Sequence, residues 1–296
     1  MASKVNIDEL RTWVGRQEEA VDYVTVPMVH RANAMLDRAD ALPRIGEPLP
    51  IGWHAFLFPR VVRHSEVGAD GHPKRGDFLP PVPLPRRMFA GKRVTFHADL
   101  KVGDEVRKVS TIEAVDPKVG RTGELVFLKL RHEMSTVRGL AITEEQNIVY
   151  RDTPAGDARA PEPASEPPDA QWEQRIQPDP VLLFRFSALT FNGHRIHYDL
   201  PYVTGEEGYP GLIVNGGLTT LFVFELARRH APRPIGIFES RNVRPLFVQN
   251  PLFVRGIPNA DGTGVRLWAA DHTGALALTA EARYASADGA AAPHGR

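Results

Sequence analysis

The stretch Asn215-Gly216-Gly217-Leu218-Thr219-Thr220-Leu221-Phe222-Val223-Phe224-Glu225-Leu226-Ala227-Arg228-Arg229-His230 decides how this chain folds. Leu218, Leu221, Phe222, Phe224 and Leu226 recur at helical spacing and are dense enough to be buried on most sides. The pattern predicts a helix over 214–230. Strand-like runs follow at 236–248, 251–258, 264–271 and 275–284, several ending at Gly, Asn or Asp. Upstream, Val181–Leu189 reads as a strand, and the loop after it carries Asn192 and His197.

One long apolar helix beside antiparallel strands implies an α+β layer packing. A buried helix wrapped by such a sheet is the hotdog arrangement. The first half repeats the order of elements. Asn6–Arg16 and Thr25–Asp37 carry helical apolar spacing, and a Pro-rich loop follows, LPPVPLPRR at 79–87. Strand-like runs then occupy Arg93–Leu100, Glu105–Val115, Leu125–Ser135 and Leu140–Tyr150, separated by turns at 102–104, 118–121 and 138–139. The expected fold is therefore a double hotdog, and the duplication rests on element order alone. Residues 1–152 form an N-terminal hotdog-like domain and 153–170, rich in Pro, Ala and acids, a linker. Residues 171–286 form the C-terminal hotdog domain and 287–296 a frayed tail.

At 296 residues and 42% hydrophobic, the chain has enough apolar material for such a core. Lys plus Arg and Asp plus Glu both number 36, so no net field holds nucleic acid or an anionic membrane non-specifically. The lack of Cys removes disulfides, thiolate metal sites and a cysteine nucleophile. The charged N-terminus has no signal-peptide core and no run approaches 18 apolar residues, which leaves cytoplasm as the expected location. Gly216-Gly217 is too short for a phosphate loop, there is no nucleophile elbow, and His194 and His197 lack the carboxylates of a metal helix.

The informative segment runs Phe184-Arg185-Phe186-Ser187-Ala188-Leu189-Thr190-Phe191-Asn192-Gly193-His194-Arg195-Ile196-His197-Tyr198-Asp199, and continues through Tyr209-Pro210-Gly211-Leu212-Ile213-Val214-Asn215-Gly216-Gly217. Here the chain resembles the MaoC-like, (R)-specific enoyl-CoA hydratases and dehydratases. The polar residue, the His five positions later, the nearby Asp and the Pro-Gly helix entry fall at Asn192, His197, Asp199 and Pro210–Gly216. Trp53-His54-Ala55-Phe56 and Leu84–Gly91 resemble the two-domain subgroup of itaconyl-CoA and mesaconyl-CoA hydratases more diffusely. The resemblance implies a hydro-lyase that acts on an acyl-CoA thioester. Its N-terminal half, lacking a His motif, would shape the acyl pocket.

The chemistry asks for these residue types. Hydrating a bond conjugated to a thioester needs a base for water, an acid for the α-carbon and donors for the enolate oxygen. An unperturbed imidazole, as at His197, titrates near neutrality. The amides of Asn215, Gly216 and Gly217 open the helix without intrahelical partners, at the positive end of its dipole. They offer an oxyanion hole, with Gly216 at its centre. The single-domain hydratases carry Asp where this chain has Asn192, and an amide is no base; Asn192 then orients the water or the thioester. Asp199 is a candidate to orient His197, and His194 reads as a solvated or orienting loop residue.

Several residues carry two readings. Arg195, and the pair Arg241 and Arg244, suit a substrate carboxylate or CoA phosphate, or plain surface charge. Arg86 and Arg87 suit the CoA phosphates at the domain junction, and Tyr209 a cap on the pocket or simple packing. No cofactor is expected beyond the coenzyme A that the substrate carries. The favoured substrate is a short branched dicarboxylic enoyl-CoA such as mesaconyl-CoA or itaconyl-CoA. The alternatives are a fatty 3-hydroxyacyl-CoA or acyl carrier protein thioester, and a non-catalytic acyl-CoA-binding module. A homodimer is the expected assembly.

Overall fold

The computed structural model describes residues 5–74, 77–120, 123–151, 167 and 169–285. In chain order the helices are α1 (Ile7–Arg11), α2 (Val26–Met35), α3 (Pro180–Thr190), α4 (Leu200–Gly205) and α5 (Gly216–His230). The strands are β1 (Gln17–Tyr23), β2 (Arg86–Phe96), β3 (Glu105–Gly120), β4 (Gly123–Thr136), β5 (Gly139–Arg151), β6 (Trp172–Ile176), β7 (Ile235–Asn242), β8 (Leu252–Pro258), β9 (Gly264–Asp271) and β10 (Leu276–Tyr284). Among the described residues they make one sheet ordered β1-β3-β4-β5-β2-β7-β10-β9-β8-β6, with every neighbouring pair antiparallel. Half of it comes from each side of the linker.

The two halves meet where β2 pairs with β7, from Gly91↔Arg241 to Thr95↔Ile237. A bulge between Phe89 and Gly91 presses the chain onto its neighbour, so that a Cβ at Gly91 would lie 2.2 Å from the carbonyl oxygen of Ser240. Only glycine fits there. Arg93 and Glu239 pair across the same seam.

Helix α5 fills the concave face of the C-terminal half, with every residue from Leu218 to Ala227 buried, as the apolar density predicts. It packs against β6, β8, β9 and β10, and Phe224 stacks on Phe238 with 3.8 Å between centroids. Each large side chain so buried contributes roughly 1.5–3 kcal/mol. In the N-terminal half α2 is only ten residues long and packs against α3 of the other half. Thr25 caps it by accepting from the Met28 amide at 3.3 Å. Its buried Met28, Val29, Ala32 and Met35 join one apolar core that runs through both halves. A second cluster fills the far end of the N-terminal sheet, where Val82 and Leu84 of the Pro-rich loop cover Ile112, Leu128 and Ile148.

One element differs in kind from its expectation. Residues 181–189 are not a strand but the body of α3. Asp179 accepts from the Leu182 amide at 2.7 Å and Pro180 stands at the start of the helix, a start signal that outweighs the run's β-like composition. Leu183, Phe186 and Ser187 then face inward at helical spacing while Val181 and Phe184 are exposed. The helix expected over Asn6–Arg16 stops at Arg11, because Gly15 turns the chain with φ +85° into β1. Most of the linker and the whole tail lie outside the described residues.

Candidate active site

A single excursion between α3 and α5 builds the site. Helix α3 ends with Phe191 in the left-handed region, φ +52°, and the Asn192 amide bonds back to the Ser187 carbonyl at 2.8 Å. Non-glycine residues occupy that region at a cost, typically near functional loops. The Asn192 Oδ1 accepts from the His194 amide at 3.0 Å. A backbone N–H requires an acceptor, which identifies the oxygen and leaves the Asn192 NH₂ free to donate. Arg195–His197 form one 3₁₀ turn, after which Asp199 caps α4. The chain then returns through Ile213, whose amide bonds to Ile196 at 3.0 Å, to the entrance of α5.

That return fixes the imidazole. His197 is buried, and its Nδ1 lies 2.7 Å from the Ile213 carbonyl oxygen. A carbonyl only accepts, so Nδ1 carries the proton and Nε2 keeps its lone pair. Burial holds the ring down at about 4, opposed by the Ile213 bond and reinforced by the charge of His72. His194 is held lower still, at about 3, by burial and then by His72 and His197. Its ring stands edge to face against His197, with centroids 5.5 Å apart. Both rings are therefore neutral at pH 7, and His197 Nε2 is able to accept a proton.

A cleft of about 780 Å³ lies between the halves, lined by Ser187, Asn192, Gly193 and Tyr198 from one and by His72 and Arg87, among others, from the other. A second cavity, about 680 Å³, lies against the N-terminal sheet and shares Arg60, Leu79 and Arg87 with the first. Both are of a size that takes a small-molecule ligand.

The hydroxyacyl-thioester dehydratase type 2 family matches this chain over residues 52–248. The mesaconyl-C(4)-CoA hydratase of Chloroflexus aurantiacus is 43% identical over 270 residues, 91% of this chain and 96% of that protein. The chain belongs to the hydroxyacyl-thioester dehydratase type 2 family. Solved structures share its fold at low identity. A MaoC-like dehydratase from Phytophthora capsici superposes with a TM-score of 0.68 at 13% identity, covering 95% of this chain and 99% of that one. A Mycobacterium tuberculosis protein described as a double hotdog gives 0.55 at 15% identity, covering 93% and 96%.

As a member of this dehydratase family the chain is a hydro-lyase acting on acyl thioesters, and its fold is the double hotdog. No helix among the described residues is long and apolar enough to cross a membrane.

The structure gathers some of the expected residues and disperses others. Asn192 and Arg87 line the cleft; His197, which meets His194 edge to face, and the helix entrance Asn215–Gly217 are not among its lining residues. Asn215 is buried at the entrance of α5, where its Nδ2 reaches Ser187 Oγ at 3.4 Å and its Oδ1 has no partner among the described residues. Gly216 and Gly217 follow as the first turn of the helix. Arg195 is held elsewhere, bonded to Asp199 at 2.8 and 2.9 Å and stacked 4.0 Å over Tyr202. Asp199 thus serves Arg195 and the start of α4; the Ile213 carbonyl, not Asp199, orients His197. Arg244 faces Asp271 at 3.8 Å, and Arg86, Arg241 and Tyr209 also lie outside the cleft lining. Sequence reading passed over Asp70, His72 and Ser187. Ser187 was hidden by the strand reading; Asp70 and His72 sit in a loop with no local motif.

The depressed imidazole has a measurable consequence. For a ring held below its free value of 6.5, the neutral form is favoured in the fold, so its stabilising contribution is full above 6.5 and lost on acidification towards about 4. The acid limb of kcat/KM is accordingly expected nearer pH 4 than pH 6.5, wherever circular dichroism shows the fold intact. A limb centred at 6.5 would contradict the buried placement.

Proposed function

We propose that this enzyme adds water to a short enoyl-CoA bearing a free carboxylate, with mesaconyl-C(4)-CoA as the leading candidate. The observation that carries this is the 43% identity to mesaconyl-C(4)-CoA hydratase along nearly the whole of both chains. In a butenedioyl thioester the free carboxylate is attached to the carbon that receives the hydroxyl. Its counter-cation must then stand beside the acid–base groups. Arg87 suits that place: it lines the cleft, its charge is felt at His194, and no carboxylate among the described residues pairs with it.

In this reading His197 Nε2 takes a proton from water as the oxygen attacks. The amides at the entrance of α5 receive the thioester oxygen as it becomes an enolate, an arrangement worth roughly 3–4 kcal/mol per donor in other enzymes. The Asn192 NH₂ holds an oxygen, of the water or of the thioester, because its own carbonyl is already committed to the loop.

The test is a panel of carboxylated and neutral enoyl-CoAs, with Arg87→Met beside the parent enzyme. A lost charge-assisted contact of about 1.5–3 kcal/mol corresponds to roughly a 10- to 150-fold fall in kcat/KM, confined to the carboxylated substrates. Equal losses on neutral substrates would remove Arg87 from this role. A second reading, dehydration of fatty hydroxyacyl thioesters, is favoured by the second cavity beside the cleft; a preference for long neutral chains in the same panel would select it.

A further inference from the structure

The position that holds Asn192 lacks a carboxylate, yet one arrives nearby from the other half of the molecule. Residues 69–72 cross the site loop in close backbone contact. A Cβ at Gly71, which sits at φ +88°, would lie 1.9 Å from the Gly193 carbonyl oxygen. The Arg195 amide bonds to the Asp70 carbonyl at 2.9 Å, and its Nη1 to the Ala69 carbonyl at 3.0 Å. This crossing sets His72 against the site: its ring is 4.0 Å from that of His194, which in turn meets His197. Asp70 grips His72 twice, accepting from its amide at 3.0 Å and from Nδ1 at 3.1 Å. Nε2 is thereby left as the ring's working nitrogen in a residue that lines the cleft with Asn192.

We infer that His72, positioned by Asp70, is the acid that protonates the α-carbon, while His197 is the base that activates water. The inference rests on the hydratase reading and assigns its second proton-transfer residue. The steps balance. Water oxygen bonds to the β-carbon as His197 Nε2 takes its proton, and the π electrons move onto the thioester oxygen. The enolate collapses, and its α-carbon takes the proton from Nε2 of the His72 imidazolium, whose charge the Asp70 carboxylate faces. His72, 30% exposed, regains a proton from solvent, and the buried His197 gives one up. Asp70 is itself held anionic, well below the usual carboxylate range, first by its bond to His72.

Asp70, His72 and His194 also bring ligand atoms within 4.8 Å of one another, as a metal site would. The hydrogen bonds favour a pair instead: Asp70 is already committed to His72, accepting from its amide and from Nδ1, and the His194 ring lies with its centroid 4.0 Å from that of His72, the planes tilted by 42°.

The experiment compares His72→Gln and Asp70→Asn with the parent enzyme on its best enoyl-CoA, following kcat, KM, the solvent isotope effect and thermal stability. The other titratable and charged groups facing this cleft are His64, Lys74, Asp77, Arg60, Arg87, Tyr150 and Tyr198, with His194 against His72. His72→Gln is expected to lower kcat about a hundredfold with KM little changed and to raise the solvent isotope effect, as proton delivery to the α-carbon becomes limiting. Asp70→Asn should lower kcat about tenfold. Parental kcat in His72→Gln, or a fall in kcat that tracks melting temperature and leaves the solvent isotope effect unmoved, overturns the inference. Stoichiometric metal in the parent that His72→Gln loses overturns it too. Failure of the parent enzyme on every enoyl-CoA would instead sink the hydratase reading beneath it.

Discussion

Hydration by a His197→Ala variant is expected to fall about a thousandfold, with acyl-CoA binding retained. The size of the effect follows from the geometry. Nδ1 is bound to the Ile213 carbonyl at 2.7 Å, so the ring has one nitrogen to work with and one orientation in which to use it. Removing the ring would delete the proposed base and leave in place the entrance of α5, to which the proposal assigns the thioester. Single-turnover rates measured beside equilibrium binding of a saturated acyl-CoA separate the two contributions. A rate within tenfold of the parent would mean that water is activated elsewhere. A loss of binding equal to the loss of rate would make His197 a structural residue.

The largest effect on stability is expected at Glu225, on α5 and buried. Its carboxylate accepts from Trp53 Nε1 at 3.0 Å, Arg228 Nε at 3.1 Å and Arg38 Nη1 at 3.4 Å. Trp53 and Arg38 come from the N-terminal half, so this one side chain ties the central helix to the opposite domain. Arg38 is almost fully buried and lies 4.9 Å over the Trp53 ring, which leaves it little access to water if its partner is removed. Breaking a buried pair from one side costs about 3–5 kcal/mol, because a desolvated charge is left unmatched. Glu225→Ala should show that loss in urea denaturation. Glu225→Gln, which keeps an acceptor for Trp53, should lose less. If alanine costs under about 1 kcal/mol, Asp40, bonded to both arginines, is compensating.

Much of this was legible in the chain because it is local. Helix α5 follows from the spacing of Leu218, Leu221, Phe222, Phe224 and Leu226, and its burial from their density. Eight of the ten strands among the described residues follow from alternation and turns; the edge strands β1 and β6 fall in short stretches that the pattern left unassigned. The site loop was marked by the order of Asn192, His197 and the helix entry at Gly216. The misreading of 181–189 as a strand came from weighing β-like composition above the Asp179-Pro180 start signal, which was equally visible.

By itself, then, the sequence determined the central helix, most of the strands and the family motif the loop carries, since caps, periodicity and spacing act within a few residues. Only the tertiary structure decided that Ile213 and not Asp199 orients the imidazole, that burial keeps that ring neutral, and that Arg87 reaches the cleft while Arg195, Arg241 and Arg244 do not. Ala69 and Arg195 are 126 positions apart, and no local pattern encodes their meeting. It is produced by the pairing of β2 with β7 and by two glycines small enough to let their backbones touch.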